Sequence, residues 1–296
     1  ITTIQELAGN ALAPNQSKLQ KVALLLGHGS NGKSAFFDIL EALFPAEVKT
    51  AVELKQFSKT FGLAMAEGKK LNVARDVSWS NNIEDSFKSF VCGEPVAIEA
   101  KGKDRKVVTL NMSSWYGLND MGCNIDKTTG FYRRLVIIPF NKTFGTQEEV
   151  SLGRADMLLD TDLVDNIKNN EMDIVFTWAY MGLRYLKENN YKLTIAKQIA
   201  DKNEEYKMDS NSAYAFLNDM CERSLGSTIT FKDLYKRYRE WCEEEDIEKP
   251  LSKKGLNKEL ERQGYDKDRN KHDRYWKDIR FKNKFIEEDI IDSPFI

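Results

Sequence analysis

Val22-Ala23-Leu24-Leu25-Leu26-Gly27-His28-Gly29-Ser30-Asn31-Gly32-Lys33-Ser34 is the stretch that decides the fold. Its five apolar residues read as a buried strand, its last eight match GxxxxGK[ST], and a helical pattern over 33–43 follows. Strand, loop and helix in that order are the setting in which this pattern holds phosphate. Glycines allow the backbone N–H groups to turn inward around phosphate oxygens, and the helix N-terminus adds partial positive charge. In such a loop Gly27, His28, Gly29, Ser30, Asn31 and Gly32 form the cradle, Lys33 reaches the β- and γ-phosphates, and Ser34 ligates Mg²⁺. The bland alternative is a glycine turn before an ordinary helix, and it leaves the lysine and serine unexplained.

Outward from this loop, apolar runs recur at 71–74, 96–100, 107–110, 114–118 and 135–138, with helical patterns at 33–43 and 83–91. The alternation predicts an α/β domain over residues 21–145, built on a central, mostly parallel sheet. A nucleotide hydrolase also needs an acid at the end of a second strand. Asp76 closes the run 71–74 and is the candidate for Mg²⁺ and water, with Glu84 and Asp85 as weaker ones. Residues 96–110 read as a β-hairpin with a basic tip carrying Lys101, Lys103 and Arg105. Residues 1–20 form a helical lead-in that ends in the turn Pro14-Asn15-Gln16-Ser17. Over 146–209 the strand signal fades and Ile174, Val175, Trp178, Met181, Gly182 and Tyr185 mark one helix face, which predicts a helical lid or linker. Residues 210–284 read as three helices (213–221, 230–243, 252–263) and an aromatic strand (274–281), a winged-helix-like, DNA-binding α+β tail, and 285–296 trail off.

Composition agrees with a globular protein that binds nucleic acid locally. The 296 residues leave room for about two domains, and 41% hydrophobic with 30% charged residues is ordinary for a folded chain. No apolar run approaches the roughly 18 to 20 residues that span a bilayer. Four cysteines without a CxxC pair and two histidines argue against a zinc site and for a reducing cytoplasm. The net charge is −2, yet residues 249–284 hold 13 Lys/Arg against 6 Asp/Glu. Distribution matters more than the sum for a nucleic-acid partner. In the tail, Tyr235, Tyr238 and Trp241 fall at helical spacing as core residues, while Lys253, Lys254, Lys258 and Arg262 are either solvated or aligned with a DNA backbone. The start at Ile1, without a leader pattern, reads as an excised piece with a further domain upstream.

Taken together and in order, several motifs resemble the superfamily 3 helicases of the phage, plasmid and poxvirus primase–helicase type. They are the GxxxNGKS loop; Phe61-Gly62-Leu63-Ala64 and Gly68-Lys69-Lys70-Leu71-Asn72-Val73-Ala74; Gly93-Glu94-Pro95-Val96 leading to the basic hairpin; Asn119; and Asp126, Thr128 and Gly130 before Phe131-Tyr132-Arg133-Arg134. The resemblance implies a P-loop AAA+-like domain, ATP and Mg²⁺ as cofactors, and a homo-oligomer, a hexameric ring, on single-stranded and fork DNA. It assigns Lys33, Asp76, Asn119, Arg133 and Arg134 to catalysis, with Asn119 as sensor and the arginines reaching a neighbouring subunit's ATP. Lys101, Lys103 and Arg105 would grip DNA. Two departures stand out: Arg75 occupies a position where many members carry an acid, and no proline follows Asn119 closely. The implied activity is an ATP-dependent motor in replication of a phage, plasmid or mobile element, in a bacterial cytoplasm, with a primase or polymerase domain upstream. The alternatives are an ATP-switched, ring-forming initiator with little unwinding, and a small-molecule kinase, which explains neither the hairpin nor the arginines.

Overall fold

The computed structural model describes residues 1–59, 61–78, 85–99, 101, 102, 104–121, 129–269 and 273–282. They group into two compact units, residues 1–204 and 205–296. Expected features at Lys103, Asp126, Thr128, Glu84 and 285–296 lie outside the described residues.

The first unit is built on five strands: β1 (Val22–Leu26), β2 (Lys49–Thr50), β3 (Leu71–Ala74), and, after the hairpin β4 (Pro95–Ile98) and β5 (Lys106–Thr109), β6 (Ser113–Leu118) and β7 (Leu135–Pro139). They form one parallel sheet in the order β2-β3-β6-β1-β7. This is the α/β architecture that the alternating pattern predicts. β1 is paired on both edges, with Val22 opposite Leu135 and Ala23 opposite Trp115, and Val22–Leu25 are buried on both faces. A strand so enclosed gains from apolar residues at every position, hence its unbroken run. Strand β2 escaped the sequence reading because it is two polar residues long. A side chain holds the segment after it: the Val52 N–H donates to Asn72 Oδ1 at 2.6 Å, and Asn72 Nδ2 donates to the Val52 carbonyl at 3.1 Å.

The helices of this unit are α1 (Thr2–Ala11), α2 (Lys33–Ala42), α3 (Asp85–Cys92), α4 (Thr129–Tyr132), α5 (Gln147–Ser151), α6 (Leu163–Asn170), α7 (Met172–Glu188) and α8 (Lys197–Ser210); β8 (Phe144–Gly145), at the end of the expected core, pairs in parallel with β9 (Met157–Leu158), a strand inside the expected helical lid or linker. Helix α1 packs on α7 at unusually close range. A Cβ on Gly9 would lie 2.2 Å from the Leu183 nitrogen, and one on Gly182 would lie 2.0 Å from the Gln5 carbonyl oxygen. This approach resets the face of α7. The residues it buries are Ala179, Gly182, Leu183 and Leu186, whereas Ile174 and Tyr185 of the anticipated face are exposed. Beyond α7, the Glu6 carboxylate accepts from the Thr194 N–H and hydroxyl at 2.7 and 2.8 Å, and the Thr3 hydroxyl donates to the Thr194 carbonyl. The lead-in helix and the segment to residue 204 thus share one core with the P-loop sheet.

The second unit runs helix, strand, helix, helix, strand, strand: α9 (Ser212–Met220), β10 (Cys221–Thr230), α10 (Phe231–Glu244), α11 (Lys253–Arg262), β11 (Lys267–Arg269) and β12 (Arg274–Phe281). The antiparallel sheet has the order β10-β12-β11, and this is a winged-helix arrangement. β10 and β11 add to the helices and strand expected here. Phe216, Tyr238, Trp241, Leu256, Leu260, Trp276 and Ile279 form its core, so the aromatic stripe of α10 packs inward.

Gly182→Ala should destabilise the protein by about 1–3 kcal/mol through overpacking, although alanine is the better helix former by about 1 kcal/mol. Urea denaturation should show this drop, while exposed Arg184→Ala should shift stability by about 0.5 kcal/mol or less.

Candidate nucleotide-binding site

All five strands of the first sheet are parallel, so their C-terminal ends share one edge, where α/β sheets bind ligands. β1 ends there in the glycine loop. Gly27 is forced by crowding: a Cβ would sit 2.2 Å from Asn31 Nδ2 and 2.4 Å from the Phe140 carbonyl oxygen. Gly29 (φ 73°), Ser30 (φ 45°) and Gly32 (φ 83°) take left-handed backbone, which turns the chain tightly into α2. The loop is tied down on both sides, since the Gly27 N–H donates to the Leu118 carbonyl at 3.1 Å and the Phe144 N–H to the Ser30 carbonyl at 2.7 Å.

Lys33 opens α2 and is buried, at 6% exposure. Its ammonium donates to the Gly27 carbonyl, to Asn31 Oδ1 at 3.2 Å and to Asn119 Oδ1 at 3.4 Å. Among the described residues no carboxylate forms an ion pair with it. Burial pushes the Lys33 ammonium below the usual lysine value, and the nearby charge of Asp76 opposes that shift. A buried cation with only neutral hydrogen-bond acceptors, at the N-terminus of a helix, fits a phosphate group.

Strand order brings in the other parts. β6 lies between β1 and β3, so Asn119 follows the strand beside the loop and Asp76 the strand after that. Asp76 itself has φ 50°, a turn out of β3 that carries it to the loop. A cavity of about 400 Å³ is lined by Ser30, Lys33, Ser34, Asp76 and Asn119 on one side. Its other wall is Phe144, Leu158, Leu159, Asp160, Leu163 and Val164, none of which the sequence reading singled out. They stand on β8, on β9 and the residues just after it, and at the start of α6, and two-residue strands leave no periodic signal. Ser34 and Asp76, the two oxygen donors expected to ligate Mg²⁺, line the same cavity. Arg75 faces away along α2, bridged to Asp38 at 2.8 Å and to Glu41. His28 is exposed and does not line the cavity.

Arg133 and Arg134 are not at this cavity. They precede β7, whose first residue pairs with the first residue of β1, so they lie at the opposite edge of the sheet. A five-residue strand separates the edges by about 16 Å. The two neighbours also differ. Arg134 is 8% exposed and donates to the Gly130 carbonyl and, at 2.8 Å, to Cys92 Sγ, while Arg133 is exposed. The Lys21 ammonium donates to the Arg133 carbonyl. Burial, with the charges of Arg133 and Arg134, holds Lys21 below its usual value.

The hairpin pairs Val96 with Val108 and Ile98 with Lys106, so its strands end slightly short of the expected 96–100 and 107–110. Val96 and Ile98 are buried, and Lys101 and Arg105 are exposed near the tip. Lys106 is paired with Glu67 at 2.7 Å.

A family of unknown function matches residues 25–134, and the poxvirus D5 protein-like family matches residues 208–292. No curated protein matches the chain. Two structures of the unliganded C-terminal region of NrS-1 share its fold. One is 12% identical with a TM-score of 0.53, covering 93% of this chain and 71% of that one. The other is 14% identical with a TM-score of 0.51, covering 88% and 58%. A third form of the same region, 14% identical with a TM-score of 0.45, covers 64% of this chain, which spans 43% of that one. The motif series, in order through the first unit, resembles that of the superfamily 3 helicases of the primase–helicase type, and residues 208–292 of the second unit match the poxvirus D5 protein-like family.

Proposed function

We propose that this chain is the ATP-hydrolysing motor of a ring-shaped helicase that translocates on single-stranded DNA at replication forks. The observation that carries this reading is the Lys33 ammonium, buried in a glycine loop among neutral acceptors and in reach of Asn119. On this reading Lys33 and the loop N–H groups hold the phosphates, and the apolar wall from Phe144 to Val164 covers the rest of the nucleotide. Bound Mg²⁺, held by Ser34 and Asp76, would neutralise charge that develops on the phosphates. Asp76 accepts a proton or orients the attacking water, and Asn119 donates to the γ-phosphate or that water.

The cation for the outer face of the γ-phosphate comes from a second copy. Arg133 lies farther from its own loop than one arginine side chain extends, so it acts in trans or not at all. It is exposed, whereas Arg134 is committed to Gly130 and Cys92, so Arg133 is the finger and Arg134 a structural residue. Lys101 and Arg105, with Lys103 between them in sequence, grip phosphates without reading bases, as a motor on any sequence requires.

Lys33→Ala should abolish ATP hydrolysis and strand displacement without unfolding the protein. Wild-type turnover in that variant refutes the nucleotide site. Arg133→Ala should cut turnover by roughly 10³-fold with ATP affinity nearly intact, while Arg134→Ala should lower stability. Mixing Arg133→Ala with Lys33→Ala subunits should restore hydrolysis above the sum of the two. If subunits exchange and no ratio recovers activity, the arginine does not act between copies. Replacing Lys101 and Arg105 by Ala should lower the salt slope of single-strand binding by about 0.7 for each phosphate no longer neutralised. An unchanged slope removes the hairpin from the DNA path.

A further inference from the structure

Arg75 stands directly before Asp76, but its side chain lies on α2 and does not line the nucleotide cavity. One terminal nitrogen, Nη2, donates to Asp38 Oδ1 at 2.8 Å and to Glu41 Oε2. The guanidinium also stands 5.7 Å from the centre of the Phe37 ring, a buried residue of the same helix. Ion pairs whose partners both stand in water are worth little. Here the side chains of Arg75, Asp38 and Glu41 are 35%, 37% and 26% exposed, and one cation joins two acids and a ring. The bridge ties the end of β3 to the middle of α2.

The backbone around it is held in a conformation that needs such a tie. Ala74 is the last residue of β3 in register with β6, opposite Tyr116, and the Val77 N–H returns to β6 by donating to the Gly117 carbonyl at 2.8 Å. Between those points the chain turns at Asp76, whose φ of 50° is left-handed backbone that a residue with a Cβ adopts at a cost. Such a conformation persists only where its surroundings over-determine it. Arg75 anchors one side of the turn on α2, and Val77 anchors the other on β6. Gly117 leaves room for both: a Cβ there would lie 2.9 Å from the Phe37 ring and 3.6 Å from the Asp76 nitrogen.

Both anchors bear on the nucleotide site, because α2 opens with Lys33 and Ser34. Asp38 and Glu41 lie about 6 and 10 Å beyond Ser34 along the helix axis. What fixes the end of β3 against those two acids therefore fixes Asp76 relative to Ser34. Charge adds a second effect. A carboxylate next in sequence to an arginine has a cation at hand, and pairing with it would take up the oxygens that Mg²⁺ needs. Two acids hold Arg75 elsewhere, and among the described residues no ion pair engages Asp76. The motif series offers no such role for this position, since many of the helicases it resembles carry an acid there.

We infer, on the reading of Ser34 and Asp76 as the Mg²⁺ donors, that Arg75 is a positioning residue of the nucleotide site. Bridged to Asp38 and Glu41, it holds the turn at Asp76 against α2, and so keeps Asp76 unpaired and in the cavity with Ser34.

Binding of a fluorescent, non-hydrolysable ATP analogue to the full chain tests this, measured in EDTA and across a Mg²⁺ titration. Arg75→Ala is compared with the double variant Asp38→Asn with Glu41→Gln, which keeps the shapes and removes the charges, and with Asp76→Ala. Arg75→Ala and the double variant should bind the analogue as wild type does in EDTA, because Lys33 and the loop hold the phosphates. Both should need about tenfold more Mg²⁺ to reach half of the gain in affinity that Mg²⁺ brings, as expected when a residue supporting a metal ligand is lost. A variant that had only loosened the fold would lose affinity in EDTA as well. A Mg²⁺ response of Arg75→Ala equal to wild type, beside an impaired Asp76→Ala, overturns this proposal alone. So does a shift in Arg75→Ala that the double variant lacks, or an equal loss of affinity in EDTA. If Asp76→Ala also responds as wild type, or Mg²⁺ leaves wild-type affinity unchanged, the assignment of the metal donors fails and the role of Arg75 fails with it.

Discussion

A cation that is buried without a carboxylate to hold it sets the terms for the first unit. Lys33 has lost most of its water, and its ammonium rests on the Gly27 carbonyl and two side-chain amides. That position exists only because Gly27 lets Asn31 and the Phe140 carbonyl close on the loop. It depends in turn on β1 being clamped in register between β6 and β7, which deliver Asn119 on one side and Phe140 on the other. A slip in either pairing would move the lysine relative to its acceptors, and desolvation would then act on it uncompensated.

The parts of this site that were legible in the sequence are those whose chemistry is local. The glycine loop, the buried run before it and the helix after it lie in one continuous stretch, and Asp76 and Asn119 each close an apolar strand. The wall opposite them was not legible. Phe144 and Leu158 reach the cavity through a parallel pair of two-residue strands, joined by pairing between residues that no period connects, and Leu163 from the start of α6. The face of α7 misled for a different reason. Hydrophobic spacing favours Ile174 and Tyr185, but Gly9 and Gly182 let two backbones meet, and packing at that distance outweighs side-chain area elsewhere on the helix. In the winged-helix unit, β10 was hidden by its own composition. It carries Ser224, Leu225, Gly226 and Ser227 where its pairing with β12 shifts register, between Arg223 and Thr228.

Arg133 and Arg134 illustrate how little adjacency says about role. Both lie in the turn between α4 and β7, and their charges are the same. Arg134 is turned inward and spends its donors on a carbonyl and a thiol, with its Nε left unpartnered among the described residues. Arg133 stays in solvent beside Lys21, where nothing among the described residues neutralises it by an ion pair. No motif distinguishes these two fates. Burial does, and burial is decided by the packing of α3 and α4 beneath the strand.

The net charge of −2 therefore conceals a consistent arrangement of the cations. Many surface acids are spent in pairs, as Glu240 and Glu244 are on α10, Glu67 on Lys106 and Asp156 on Lys142. Among the described residues, cations without such partners include Lys33 in the P-loop, Lys21 and Arg133 at the opposite edge of the sheet, Lys101 and Arg105 on the hairpin, and Lys254 and Lys258 on α11. Burial acts against the Lys33 ammonium, and burial with the like charges of Arg133 and Arg134 acts against that of Lys21. Conflicts between local electrostatics and fold are expected where a ligand resolves them. On the proposed function these places differ in the anion they meet. The glycine loop takes a compact triphosphate, and the exposed Arg133, out of reach of its own loop, takes a phosphate presented by another copy. One sheet then serves two nucleotides, its own at the C-terminal edge of the strands and a neighbour's at the other, because β1 and β7 start in register.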